Sequence, residues 1–111
     1  ARAIDNVRSL ALTRAQRDVS IDGIEFRQGE YMGIIDGHPR VCGADALSTI
    51  DSLFLRSEAA EFELATVFVG NGADHQLIDD LEERLARDYP ELELEITNGG
   101  QPHYDLLIAL E

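Results

Sequence analysis

The sequence has a single cysteine, Cys42, among 111 residues, and no tryptophan. One cysteine excludes an internal disulfide and fits a reducing, cytoplasmic setting. Stability must then come from burial, for which a 44% hydrophobic composition is sufficient at this length. Positive charge is scarce: nine basic residues, all arginine, stand against 22 acidic ones, for a net charge of −13. A field of that sign repels nucleic acid and anionic lipid, and disfavours nucleotides unless a local positive pocket exists. No segment has the roughly 18 consecutive apolar residues of a membrane span, and no basic-plus-apolar signal peptide is present. Repeats and low-complexity runs are also missing. The chain opens on "ARAID" without an initiator methionine. It reads as one domain, residues 1–111, cut or processed from a larger protein.

What is present is a succession of short apolar runs separated by turn residues. Ala1–Ser9 resembles the end of a helix, with Ile4 and Val7 three apart, and Leu10–Arg17 reads as a strand. "DVSIDG" and "RQGE" read as turns on either side of the short extended piece Ile24–Phe26. Tyr31–Ile35 and Arg40–Cys42 flank "DGHP" as a hairpin, its proline suggesting a loop slightly longer than two residues. Asp45 is placed to cap a helix whose stripe is Leu47, Ile50, Leu53 and Phe54. Leu64–Val69, "LATVFV", shows little alternation and reads as an interior strand covered on both faces. Asp74 opens a second helix with Leu77, Ile78, Leu81 and Leu85 on one face. Asp80/Arg84 and Glu83/Arg87 are spaced for ion pairing along it, and Pro90 stops it. Leu92–Ile96, "LELEI", alternates strictly, so one side is wet, and Tyr104–Leu110 is a final apolar strand. The implied fold is α/β: a mixed sheet with a parallel βαβαβ core, flanking helices and an antiparallel C-terminal strand beside Leu92–Ile96.

Two glycine-bearing turns are the candidates for chemistry. "VGNGADHQ", Val69–Gln76, joins a strand to a helix where a dinucleotide fingerprint would sit, but its third glycine is missing and Asp74 puts a carboxylate where phosphate needs room. "NGGQPHY" near the C-terminus has no lysine or arginine close to it in sequence. Gly99, Gly100, Gln101, Pro102 and Tyr104 read as a stiff connection that presents a ridge to a protein partner. An α/β domain binding a small ligand or anion through the Gly70–Asp74 turn or the Gly99–Pro102 loop is the alternative. His38, His75 and His103 have no zinc spacing with Cys42 or each other. Cys42 follows a strand valine and reads as a buried, inert thiol. There is no Gly-x-Ser-x-Gly elbow.

The C-terminal "GGQPHYDLLIALE" resembles the terminal GGQPxYxxxxxxE of the ATP-binding component of bacterial fatty-acid kinase, a dihydroxyacetone-kinase-like (DAK/DhaL-containing) family. "TRAQRDVSIDG" (Thr13–Gly23) is similar to its TxAxRDxxIDG, "GEYMGIIDG" (Gly29–Gly37) to its GDYIGIxDG, and "VFVGNGA" to its strand, glycine turn and helix. Arg14 and Gln16 depart from the pattern, where the family often carries an aromatic and a valine. The resemblance runs over roughly residues 3–111 and implies the C-terminal domain of such a kinase. ATP and magnesium would belong to another domain of the parent transferase, and this fragment would hold no cofactor, metal or catalytic residue. Its implied role is protein–protein interaction: engaging the DegV-like fatty-acid-binding protein so that the parent phosphorylates the acyl carboxylate.

Overall fold

A computed structural model describes residues 7–71 and 73–111. The reading of Ala1–Ser9 as a helix end falls largely outside the described residues. Its last two residues begin strand β1, Arg8–Arg14. A small hairpin, β2 (Val19–Ile21) and β3 (Ile24–Phe26), follows as a separate two-stranded sheet, where the sequence pattern predicts turns around one extended piece. Next come β4 (Tyr31–Ile35), β5 (His38–Gly43), α1 (Ala46–Arg56), a 3-10 turn at Ala59–Glu61 and β6 (Leu64–Val69). The chain closes with α2 (His75–Asp88), β7 (Glu93–Asn98) and β8 (Tyr104–Leu110).

The main sheet is mixed, six strands in the order β5-β4-β1-β8-β6-β7, and the C-terminal strand is antiparallel to both neighbours. The βαβαβ strands β5, β6 and β7 all run the same way, but only β6 and β7 hydrogen-bond as a parallel pair, because β5 lies at the opposite edge. β8 does not return beside β7. It inserts between β1 and β6. The reason is in its composition: Leu106, Ile108 and Leu110 point one way and Leu107 and Ala109 the other, so both faces are apolar and the strand belongs inside the sheet. β7 exposes Glu93 and Glu95, which suits an edge and discourages pairing with another chain.

The β4–β5 connection is tighter than the proline suggested. Asp36 and Gly37 form a two-residue turn with φ of 49° and 84°. Pro39 lies inside β5, on the edge strand, where the register slips between Gly33 and Ile34.

Both helices cover the same face. Ile50, Leu53 and Phe54 of α1 and Leu81 and Leu85 of α2 pack on Leu10, Leu12, Val67, Leu106, Ile108 and Leu110, none of them more than 4% exposed. Arg84 bridges to Asp51 of α1, and Arg87 pairs with Asp88. The expected pairs along α2 therefore give way: Asp51 lies on the helix beside Arg84, and Asp88 is next to Arg87. Cys42 is exposed rather than buried. Alternation points Val41 into the core and sends its neighbour outward.

Candidate functional site at the uncovered sheet face

No helix lies on the other face of the sheet among the described residues. Residues of the parity opposite to the core line it: Ala11 on β1, Met32 and Ile34 on β4, Leu107 and Ala109 on β8, Thr66 and Phe68 on β6. Phe68 is 38% and Tyr104 39% exposed, while Met32, Ile34 and Leu107 are half-buried. Soluble domains seldom leave a contiguous apolar surface in water without a use for it. The reading of β6 as covered on both faces is thus half right. Ala65 and Val67 are completely buried under the helices, and the Thr66/Phe68 side is open.

The rim of this face at the ends of β6, β7 and β8 is built from the two turns singled out in the sequence, which prove to be one structure. The Gly99 and Gly100 amides both donate to the Val69 carbonyl, at 2.9 and 3.0 Å, and the Asn71 amide donates to the Gln101 carbonyl at 3.1 Å. The Gln101 side-chain amide donates to the carbonyls of Phe68 (3.0 Å) and Tyr104 (3.4 Å). Its NH2 group therefore holds backbone. Gly70 is buried at the centre, where a Cβ would collide with the Tyr104 carbonyl oxygen. Gly72 lies outside the described residues. Gly100 and His103 have positive φ, 65° and 73°, and the Thr13 hydroxyl donates to the His103 carbonyl, tying the loop to β1. Pro102 is exposed, and Tyr104 begins β8 on the open side, not in the core.

On the helix side, the amino ends of α1 and α2 converge with Arg14 around a cleft that also holds Asp45, Asp74, Asp80 and Asp105. Each helix supplies its own N-terminal carboxylate: Asp45 accepts from the Ser48 amide at 2.8 Å and Asp74 from the Gln76 amide at 3.0 Å. The Ser48 backbone hydrogen bond holds the Asp45 carboxyl below its ordinary range. The positive helix ends are already matched, and an incoming phosphate would meet four carboxylates, so the geometry weighs against the anion-binding alternative. His38, His75 and His103 are all exposed and sit apart, at the start of β5, at the start of α2 and in the loop before β8. Among the described residues no three histidine, cysteine or acidic side chains are grouped to hold a metal ion, and no helix is long and apolar enough to cross a membrane.

Sequence reasoning singled out the two turns that meet here and did not single out Met32, Ile34, Phe68 or Leu107. The signal was available: β6 and β8 carry apolar residues at both parities, while two helices can cover one face only.

Comparison with known proteins matches the chain along its whole length. The family of C-terminal domains of FakA-like fatty acid kinase proteins matches residues 1–111. Uncharacterized proteins of Staphylococcus aureus strains USA300 and NCTC 8325 are each 33% identical over 111 residues, covering 100% of this chain and 20% of their own length. One from Staphylococcus haemolyticus strain JCSC1435 is 34% identical over 109 residues, covering 98% of this chain and 20% of its own. The chain thus spans about one fifth of the length of the curated relatives it matches. It belongs to the FakA-like fatty acid kinase C-terminal domain family.

Proposed function

We propose that this chain is the accessory, non-catalytic C-terminal domain of a cytoplasmic fatty acid kinase. It engages the DegV-like fatty-acid-binding protein so that the parent, with ATP and magnesium bound in another domain, phosphorylates the acyl carboxylate. The observation that carries this reading is the sheet with one face packed and the other apolar and open. Such a face buries its surface against a partner, and aromatic side chains such as Phe68 and Tyr104 are favoured in interfaces. Gly99, Gly100, Gln101 and Pro102 form the rim of the contact. Gln101 acts there by fixing the backbone, and Pro102 and Tyr104 by presenting surface.

The experiment compares the intact parent kinase with a form lacking residues 1–111. Carrier affinity, ATP affinity and acyl-phosphate formation are measured on both. Loss of carrier affinity and acyl-phosphate formation with unchanged ATP affinity is expected. Unchanged carrier affinity after removal of the domain contradicts the proposal, and so does carrier-independent ADP release by the domain alone.

A further inference from the structure

The uncovered face is not uniform. Where the end of β1 meets the root of the β2–β3 hairpin, a groove of about 400 Å³ is lined by Arg17, Val19, Met32, Ile34, His103 and Tyr104, among others. Ile34 and Tyr104 also line a second groove of about 330 Å³, together with Ala11 and Leu107. Among the described residues neither groove has a carboxylate in its wall, although the chain carries 22 acidic residues. Four arginines away from this face, Arg8, Arg40, Arg84 and Arg87, each pair with an aspartate. Arg17 is exposed and its side chain has no hydrogen-bond or ion-pair partner among the described residues. Arg27 and Arg56 are also without one, but neither lines this face. Arg14, at the same end, turns instead to the helix side, where it stacks 4.9 Å from the Tyr31 ring centroid in the cleft with Asp45, Asp74, Asp80 and Asp105.

An apolar floor edged by the unpaired guanidinium of Arg17, on a molecule otherwise strongly negative, selects an occupant that is apolar and acidic. Both grooves are shallow and open along their length, whereas a small ligand is normally buried over most of its surface. A flat, extended, partly apolar face suits a protein surface. We infer that this face docks a protein segment in which carboxylates flank aliphatic side chains. The aliphatic groups lie on Met32, Ile34 and Leu107, Tyr104 covers the join between the two grooves, and a carboxylate meets Arg17. The inference rests on the reading of the domain as carrier-engaging, with the carrier supplying the segment.

The test titrates the DegV-like carrier into the intact kinase and into its Arg17→Glu, Arg17→Lys and Ile34→Ser variants. Melting temperature, salt dependence and sedimentation are recorded alongside. Arg17 is exposed and unpaired, so its variants keep the fold and remain informative if Ile34→Ser does not. Arg17→Glu is expected to lower carrier affinity about tenfold or more and to flatten its dependence on salt, with Arg17→Lys recovering most of the binding. Ile34→Ser is expected to weaken binding without changing the salt dependence. If deletion of the domain abolishes carrier binding while all three variants bind normally, the docking inference is overturned and the function reading survives. If deletion has no effect, both fall. A kinase self-association lost in Ile34→Ser, with carrier affinity intact, assigns the face to a second copy and overturns the inference. Carrier-free binding of oleate to the kinase, lost in Ile34→Ser with carrier affinity unchanged, also overturns it.

Discussion

Leu106 and Leu107 are neighbours in one strand and do opposite things. Leu106 is fully buried beneath the helices, and Leu107 faces the side that no helix among the described residues covers. The same comparison runs across the sheet: Leu10 and Leu12 against Ala11, Val67 against Phe68, Gly33 against Ile34. β4, β6 and β8 carry apolar side chains on both sides, but α1 and α2 together cover only one. A strand that is apolar at both parities announces two covers, and this domain supplies the first. The difference separates residues that make the fold from residues left over for something else.

The comparison breaks most readily in the core. Leu81→Ala removes a fully buried side chain and should cost about 2–5 kcal/mol. Leu107→Ala, on the half-buried side, should cost about 1 kcal/mol or less. Chemical unfolding of the two variants checks the assignment, and equal losses would show that the open face is core. Next is the rim. Gly70→Ala should cost about 1–3 kcal/mol, because the new methyl group forces the Tyr104 backbone away and disturbs both turns at once. Asp74→Ala should cost about 1 kcal/mol through the lost cap on α2. An unchanged denaturant midpoint would show that the helix end is held by other contacts.

The smallest expected effect is a pH dependence. Asp45 has its folded-state pKa lowered, chiefly by the Ser48 backbone hydrogen bond. Its contribution to stability is present above the unfolded value of 3.8 and is lost as pH falls through the folded value. Asp45→Asn keeps a capping oxygen and removes the titration. The variant's stability relative to the native chain should therefore improve as pH drops below the ordinary carboxylate range. A constant difference between the two through that range would contradict the assignment.

Much of the fold was legible from particular residues. The periodicity of Leu47–Phe54 and Leu77–Leu85, with Asp45 and Asp74 as caps, located both helices. The alternation in "LELEI" identified a half-wet strand, which proves to be an edge. Strand order was not legible in the same way, because it depends on which apolar strand takes the interior. β8 follows β7 after a short loop, which favours pairing between the two, and instead it lies across β6. The rim was legible as glycines and proline. What those residues do was not, since the Gln101 side chain bonds carbonyls of residues as far away in sequence as Phe68. The open face could be read only once both helices were known to lie on the other side.

The most direct test pairs the two adjacent leucines in the intact kinase: Leu106→Ala and Leu107→Ser, each assayed for melting temperature and for affinity toward the DegV-like carrier. Leu106→Ala should lower the melting temperature by several degrees, about 4–8 °C for each kcal/mol lost if the domain unfolds independently. Leu107→Ser should leave melting nearly unchanged while weakening carrier binding about tenfold or more. Normal carrier affinity in a correctly folded Leu107→Ser protein, or a melting loss equal to that of Leu106→Ala, would contradict the claim that the uncovered face is where the partner binds.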